Sequence, residues 1–228
     1  MEQAMYDMLL RLPLFQGMSK EDLFEVFEHT VFRFRKVEDG KLAFRQGERC
    51  DELNFLMHGC LVMRTQASGA DLAFAEELFA YAALEPQSMF GRSPYYKSSY
   101  VARGGVSLLG IDKREVYELV TRYEIFRINL LNMLSSRVEN LTERLWQVSP
   151  YGLEGRLVLF LRSLCSSFQG TKTLQVKMDD LADLLDDTRL NVSRILNKWK
   201  DEGLISMRRK EFVVHDMAAL WAYFTSQA

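Results

Sequence analysis

The sequence predicts an α+β chain in three parts. These are an N-terminal antiparallel β-roll of the double-stranded β-helix kind, a long helix carrying a leucine seam, and a C-terminal winged helix-turn-helix. Up to about residue 111, short β-like runs alternate with glycine-marked turns. Between residues 131 and 145, apolar residues recur at alternating steps of three and four. From Leu181 onward, two amphipathic helical patterns flank a tight polar turn and are followed by a small basic hairpin. The expected divisions are a β-roll domain at 1–111, a long-helix region at 112–149 and a winged helix-turn-helix domain at 150–228.

The β-rich part opens with a helix from Lys20 to about Glu28. Ser19 stands as its N-cap with Asp22 at N3, the reciprocal arrangement that satisfies free N–H groups of a first turn. The runs 31–37, 41–45 and 53–57 follow, with Gly40, Gly47, Gly59 and Gly69 at or after their ends. Short, evenly spaced strands of this kind close into a compact barrel or roll. His58 falls in an expected hairpin turn.

From Asp112 the pattern turns helical. Leu131, Leu134, Val138, Leu141 and Leu145 step by 3, 4, 3 and 4, and Arg137, Glu139, Glu143 and Arg144 flank them. Such a stripe either packs on the chain's own barrel or pairs with its twin in a parallel dimer. The narrow 3.5-residue period favours the dimer, because a broad core asks for a wider face. Pro150 and Gly152 mark a hinge before the last domain.

In that domain Leu181, Leu184 and Leu185 give one apolar stripe, and Val192, Ile195, Leu196 and Trp199 give a second. Thr188 is the N-cap of the second helix, and Gly203 ends it. Residues 204–207 and 211–215 alternate like strands, with Arg208-Arg209-Lys210 at their turn. Thr188–Lys210 holds seven basic and two acidic residues, whereas Met178–Asp187 holds five aspartates and no base. A focused basic face beside an acidic one suits oriented docking on phosphates. The second helix is thus laid out to enter a major groove. Its polar face offers Thr188, Arg189, Leu190, Asn191, Ser193, Arg194 and Lys198, and the wing offers Arg208, Arg209 and Lys210.

Composition excludes several classes. The 228 residues carry a net charge of −2, so general affinity for polyanions is not expected. No apolar run approaches the roughly 20 residues of a membrane span, and no secretory signal opens the chain. Three cysteines at long spacings form no metal or redox motif, which suits a reducing cytoplasm. There is no P-loop, G-x-S-x-G or H-E-x-x-H, so no enzymatic activity is expected. The rival reading is a ligand-sensing or protein-interaction module that binds no DNA, and the basic wing argues against it.

The order of these parts resembles the Crp/Fnr family of bacterial transcription regulators over nearly the whole chain. The resembling segments are Leu12-Pro13-Leu14-Phe15, Phe44-Arg45-Gln46-Gly47-Glu48, Leu53 to Gly59, and Asp180 to Ile205 with Val192-Ser193-Arg194 and Glu202-Gly203-Leu204-Ile205. The resemblance implies a cyclic-nucleotide-binding-like barrel, a homodimer, and double-stranded DNA and RNA polymerase as partners. The family's nucleotide-binding members carry Phe-Gly-Glu, then Arg-Ser or Arg-Thr a few residues on. This chain has Phe90-Gly91-Arg92-Ser93, then Lys97-Ser98. Arg92 stands at the glutamate position and accepts no hydrogen bond from a ribose hydroxyl. Lys97 stands at the arginine position without the planar fork. Cyclic AMP or GMP is therefore not expected. Two readings stay open: a vestigial pocket filled by its own side chains, with Tyr95 and Tyr96 as candidates, or an unidentified small anion meeting Arg92 and Lys97. No iron–sulfur cluster is expected, because residues 1–49 hold no cysteine. His29, His58 and His215 offer no paired axial ligand for haem, so no metal is expected.

The resemblance also places Arg189 and Arg194 at positions that contact bases and phosphates in the family. Leu190 stands between them where glutamate is common. Leucine touches a thymine methyl but accepts nothing from cytosine, so the half-site should differ from the familiar one. Arg194 is assigned to guanine, Arg189 to a base or a phosphate, and Ser193, Lys198 and the wing to the backbone.

Overall fold

The computed structural model describes residues 2–67, 71–146 and 152–227. In chain order they form α1 (Glu2–Leu10), α2 (Lys20–His29), β1 (Phe32–Val37), β2 (Leu42–Phe44), β3 (Glu52–Gln66), β4 (Ala73–Phe79), β5 (Ala82–Leu84), α3 (Pro86–Phe90), β6 (Ser99–Asp112), α4 (Lys113–Arg122), α5 (Glu124–Trp146), α6 (Gly152–Leu164), β7 (Lys172–Gln175), α7 (Met178–Leu184), α8 (Arg189–Asp201), β8 (Ile205–Arg208), β9 (Glu211–Val214) and α9 (Met217–Gln227). Gly69, Pro150 and the side chain of Leu145 lie outside the described residues. Two compact units result, Met1–Val62 with Phe79–Asn140, and Met63–Leu78 with Leu141–Ala228.

The first unit is the antiparallel roll. Strand β6 pairs with β1 from Phe32↔Ile111 to Val37↔Val106, and also with β2, while β5 pairs with β3. Phe15, Phe55, Leu109, Ile111 and Phe126 are wholly buried in its core. Phe126 brings α5 into that core, with its ring near edge-on to Phe15 at 5.1 Å. Burying each such side chain contributes about 1.5–3 kcal/mol. The expected N-cap of α2 is present, with the Ser19 hydroxyl accepting from Asp22 N at 3.0 Å. Asp112 likewise caps α4 by accepting from Arg114 N at 2.9 Å. The Asn129 side chain donates to the Leu14 and Gln16 carbonyls at 3.1 and 2.8 Å, which ties α5 to the loop before α2.

One expected turn is absent. Strand β3 runs straight through His58 and Gly59, with no hairpin there. Gly59 keeps its positive φ of 92°, but inside the strand, where a Cβ would lie 2.6 Å from the Gly105 carbonyl oxygen. Close backbone approach, not chain reversal, is what requires glycine at this position.

The second unit holds four antiparallel strands in the order β4-β7-β9-β8. Its core gathers Leu157, Leu161, Leu181, Val192, Leu196, Trp199 and Leu220, from four helices, with Phe212 from β9. Residues 63–78 come from the β-rich N-terminal half yet group here, with β4 pairing β7 from Ala73↔Gln175 to Glu76↔Lys172. That last register pair is an ion pair. Lys172 Nζ donates to Glu76 Oε2 at 3.0 Å, with the two side chains 1% and 0% exposed. The Glu76 carboxylate also accepts from Ser166 N, and Lys172 Nζ also donates to the Gln169 carbonyl. A buried pair survives only with such further partners.

Candidate DNA-binding interface

Helix α8 exists because one of its faces is apolar. Val192, Leu196 and Trp199 are wholly buried, and the Trp199 indole donates to Glu154 Oε1 of α6 at 2.8 Å. The opposite face is turned outward. Thr188, Arg189, Leu190, Asn191, Arg194 and Lys198 are exposed, and Ser193 is half-buried. Thr188 caps the helix by accepting from Asn191 N at 3.3 Å, so the first turn carries these side chains on a fixed backbone.

The turn before α8 is held from below. Asp186 takes a positive φ of 49°. Arg156 of α6 donates to the Leu185 carbonyl at 3.0 Å and to Asp187 Oδ2 at 2.8 Å. The Asn191 amide and the Thr188 N–H both donate to Asp187, at 2.8 Å each, and hold its carboxyl below the usual carboxylate range. Arg156 was not singled out in the sequence. Its signal there is faint, being one arginine at a half-buried position in an apolar helix.

Strands β8 and β9 form the wing, with Lys210 in the left-handed conformation (φ 61°) at its turn. Arg208, Arg209 and Lys210 are exposed. A cavity of about 380 Å³ lies between the wing and the start of α8, lined among others by Arg189, Arg208 and Lys210. Arg189 leans toward α7, its guanidinium 3.2 Å from both oxygens of Asp179. Among the described residues no carboxylate pairs with Arg194. Lys198 is otherwise engaged, 3.3 Å from Glu154 and over the Tyr223 ring at 5.4 Å. Asp71, just before β4, pairs with Lys177 at 2.8 Å and with Lys210 at 3.9 Å. Lys177, then Lys210, hold its carboxyl low.

Residues 155–223 match the family model of the Crp-like helix-turn-helix domain. That stretch is therefore a Crp-like helix-turn-helix domain. Helix-turn-helix domains of this kind set their second helix in the major groove of DNA. The chain is 26% identical over 200 residues to the global nitrogen regulator of Synechocystis, covering 81% of this chain and 85% of that one. It is 25% identical over 214 residues to the cyclic AMP receptor protein of Thermus thermophilus, covering 91% and 94%. The crystal structure of the Thermus thermophilus catabolite activator protein superposes with a TM-score of 0.53 at 22% identity, covering 95% of this chain and all of that one, and it shares the fold.

The residues expected at an effector pocket are only partly brought together. Phe90, Gly91, Arg92 and Ser93 are exposed at and after the end of α3. Lys97 is exposed and its ammonium donates to Ser93 Oγ at 2.8 Å. Ser98 is buried. Tyr96 is buried and stacks on Phe44 at 4.8 Å, and the Asn54 amide donates to its hydroxyl at 2.9 Å, whereas Tyr95 is exposed. The backbone N–H groups of Lys97 and Ser98 both donate to the buried carboxylate of Glu85, a residue sequence reasoning passed over. No group of three or more His, Cys, Asp and Glu among the described residues has the arrangement of a metal site. No helix among them is long and apolar enough to cross a membrane.

Proposed function

We propose that this chain is a Crp/Fnr-type transcription regulator, that it acts as a homodimer reading a roughly palindromic operator, and that its effector pocket takes no cyclic nucleotide. The observation that carries the reading is the outward face of α8. Arg189, Leu190 and Arg194 stand exposed beside the cationic wing, while the same helix is anchored inward through Val192, Leu196 and Trp199. Arg194 reads guanine through O6 and N7, Leu190 meets a thymine methyl, and Arg189 serves a base or a phosphate. Thr188, Asn191, Ser193 and the wing residues position the backbone.

Dimerisation is supported by α5. Leu131, Val138 and Leu141 are 57%, 62% and 58% exposed, and a contiguous apolar stripe of this kind suits a protein–protein contact. Leu134 is half-buried and packs on the core of its own unit, so it contributes less to the seam than its spacing suggested. Twin α8 helices then meet half-sites about one helical turn apart. The functional division proposed is a sensor at 1–111, a dimerisation region at 112–149 and a DNA-binding domain at 150–228, with 63–78 grouping with the last. Cytoplasmic location and contact with RNA polymerase follow from the proposed role in bacterial transcription. An altered pocket is supported by Arg92 and Lys97, both exposed and standing at the positions where nucleotide-binding members carry glutamate and arginine.

A gel-shift titration over salt tests the reading. Affinity for a duplex selected from a random library should fall steeply with salt, with a slope of about −0.9 per neutralised phosphate. Binding that ignores salt, or selection that enriches no motif, would reject it.

A further inference from the structure

Glu85 is the most unusual residue of the first unit. It is 5% exposed, and its backbone sits in the left-handed region (φ 40°, ψ 52°) immediately before Pro86. A non-glycine residue pays about 1–3 kcal/mol for that conformation. The side chain shows what holds it there. Oε2 accepts from Ser88 Oγ at 3.0 Å and from Lys97 N at 2.7 Å. Oε1 accepts from Ser98 N at 2.9 Å and from the Tyr100 hydroxyl at 3.0 Å. Burial, then the Glu85 charge, pushes the Tyr100 phenol up, so it remains a donor.

Two successive backbone N–H groups, one meeting each oxygen of a single carboxylate, make an anion nest. A carboxylate taken out of water costs several kcal/mol unless its lone pairs are met, and here four donors meet them. The surroundings close the site. Tyr96 lies 6.1 Å from Tyr100, and Phe44 stacks on Tyr96. Arg137 of α5 donates to the Gln87 side chain and lies close enough to Glu85 to feel its charge.

We propose that Glu85 is a built-in anion. Its carboxylate occupies the nest of Lys97 and Ser98, so the native chain takes no anionic effector there, and the nest accepts a small carboxylate only when Glu85 is removed. This rests on the reading of an altered pocket and makes it specific: the occupant is part of the polypeptide. It also separates the two alternatives left open by the sequence, in favour of self-filling, with Glu85 and not Tyr95 as the filling group.

The test uses the full chain, with amide resonances of Lys97 and Ser98 as the readout. In the wild type both should lie downfield and stay unmoved by acetate, inorganic phosphate or cyclic AMP. In Glu85→Gly, where glycine accepts the positive φ freely, both should move upfield. Acetate should then return them saturably, with half-saturation at about 1 mM, the scale for so small a ligand. The melting temperature of the variant should rise in acetate and not in chloride of equal ionic strength. Wild-type resonances that shift with cyclic AMP would overturn both this inference and the altered-pocket reading. Wild-type shifts with acetate or phosphate alone would overturn only this inference. So would a folded Glu85→Gly chain that ignores acetate. Should that variant not fold, the wild-type titration still decides.

Discussion

Glu76 offers the sharpest test of how the DNA-binding unit is built. Its carboxylate is wholly buried and meets two partners, the Lys172 ammonium at 3.0 Å and the Ser166 N–H at 3.0 and 3.1 Å. Glu76→Ala leaves a buried cation with only the Gln169 carbonyl, and an N–H with nothing. Breaking a buried pair from one side costs about 3–5 kcal/mol, because the stranded charge has lost its compensation. The unit has roughly 100 residues, for which each kcal/mol moves the midpoint by at least about 4 °C, so the expected drop is about 12–20 °C. Replacing both partners, as Glu76→Leu with Lys172→Met, removes the stranded charge and leaves the Ser166 N–H, worth about 1–3 kcal/mol. The double variant should therefore be more stable than Glu76→Ala. Fluorescence of Trp199, wholly buried in this unit, follows the transition in denaturant. A coupling energy between the two positions below about 0.5 kcal/mol would refute the reasoning, since independent sites add to within that margin.

Arg194→Ala should weaken DNA binding by about 1–3 kcal/mol at one base position and leave the preference elsewhere intact, as read by selection from a randomised half-site. Val138→Glu places like charges on the exposed α5 face of both copies, and sedimentation should show a smaller particle with weaker operator binding. Asp71→Asn releases Lys177 and Lys210, so DNA affinity should rise at low salt and the gain should vanish at high salt, where exposed charges are screened. Asp187 sets a pH limit. Its carboxyl is lowered in the folded chain, first by the Asn191 amide and then by the Thr188 N–H. Its stabilising effect is complete above the unfolded aspartate value of about 3.9 and is lost as pH falls through the lower folded value. Circular dichroism on acidification should show that loss, and Asp187→Asn should flatten it.

The helix-turn-helix was legible because periodicity states it twice. Val192, Leu196 and Trp199 fall on one side of α8, and Thr188 sits where a cap must. The wing was legible from alternation and from the basic turn. What the sequence hid was non-local. Strand β4 pairs with β7 about a hundred residues away, and nothing in Ala73–Phe79 names that partner. Gly59 was read as a turn because a turn and a close strand approach both call for glycine. Glu85 was missed because one acidic residue after an apolar run looks like the end of a strand. Its importance comes from two N–H groups twelve and thirteen positions on. Lys198 shows the reverse case, since it is cationic and on the outward side, yet it is held by Glu154 and Tyr223 within the fold.

Hydroxyl-radical footprinting of the full chain on a selected duplex puts the whole account at risk in one experiment. Two α8 helices from paired copies should protect two segments centred about 10 base pairs apart, one helical turn, and Leu131→Glu combined with Val138→Glu should abolish both together. A single protected segment, or protection unchanged in that double variant, would contradict a dimer that reads DNA through Arg189 and Arg194.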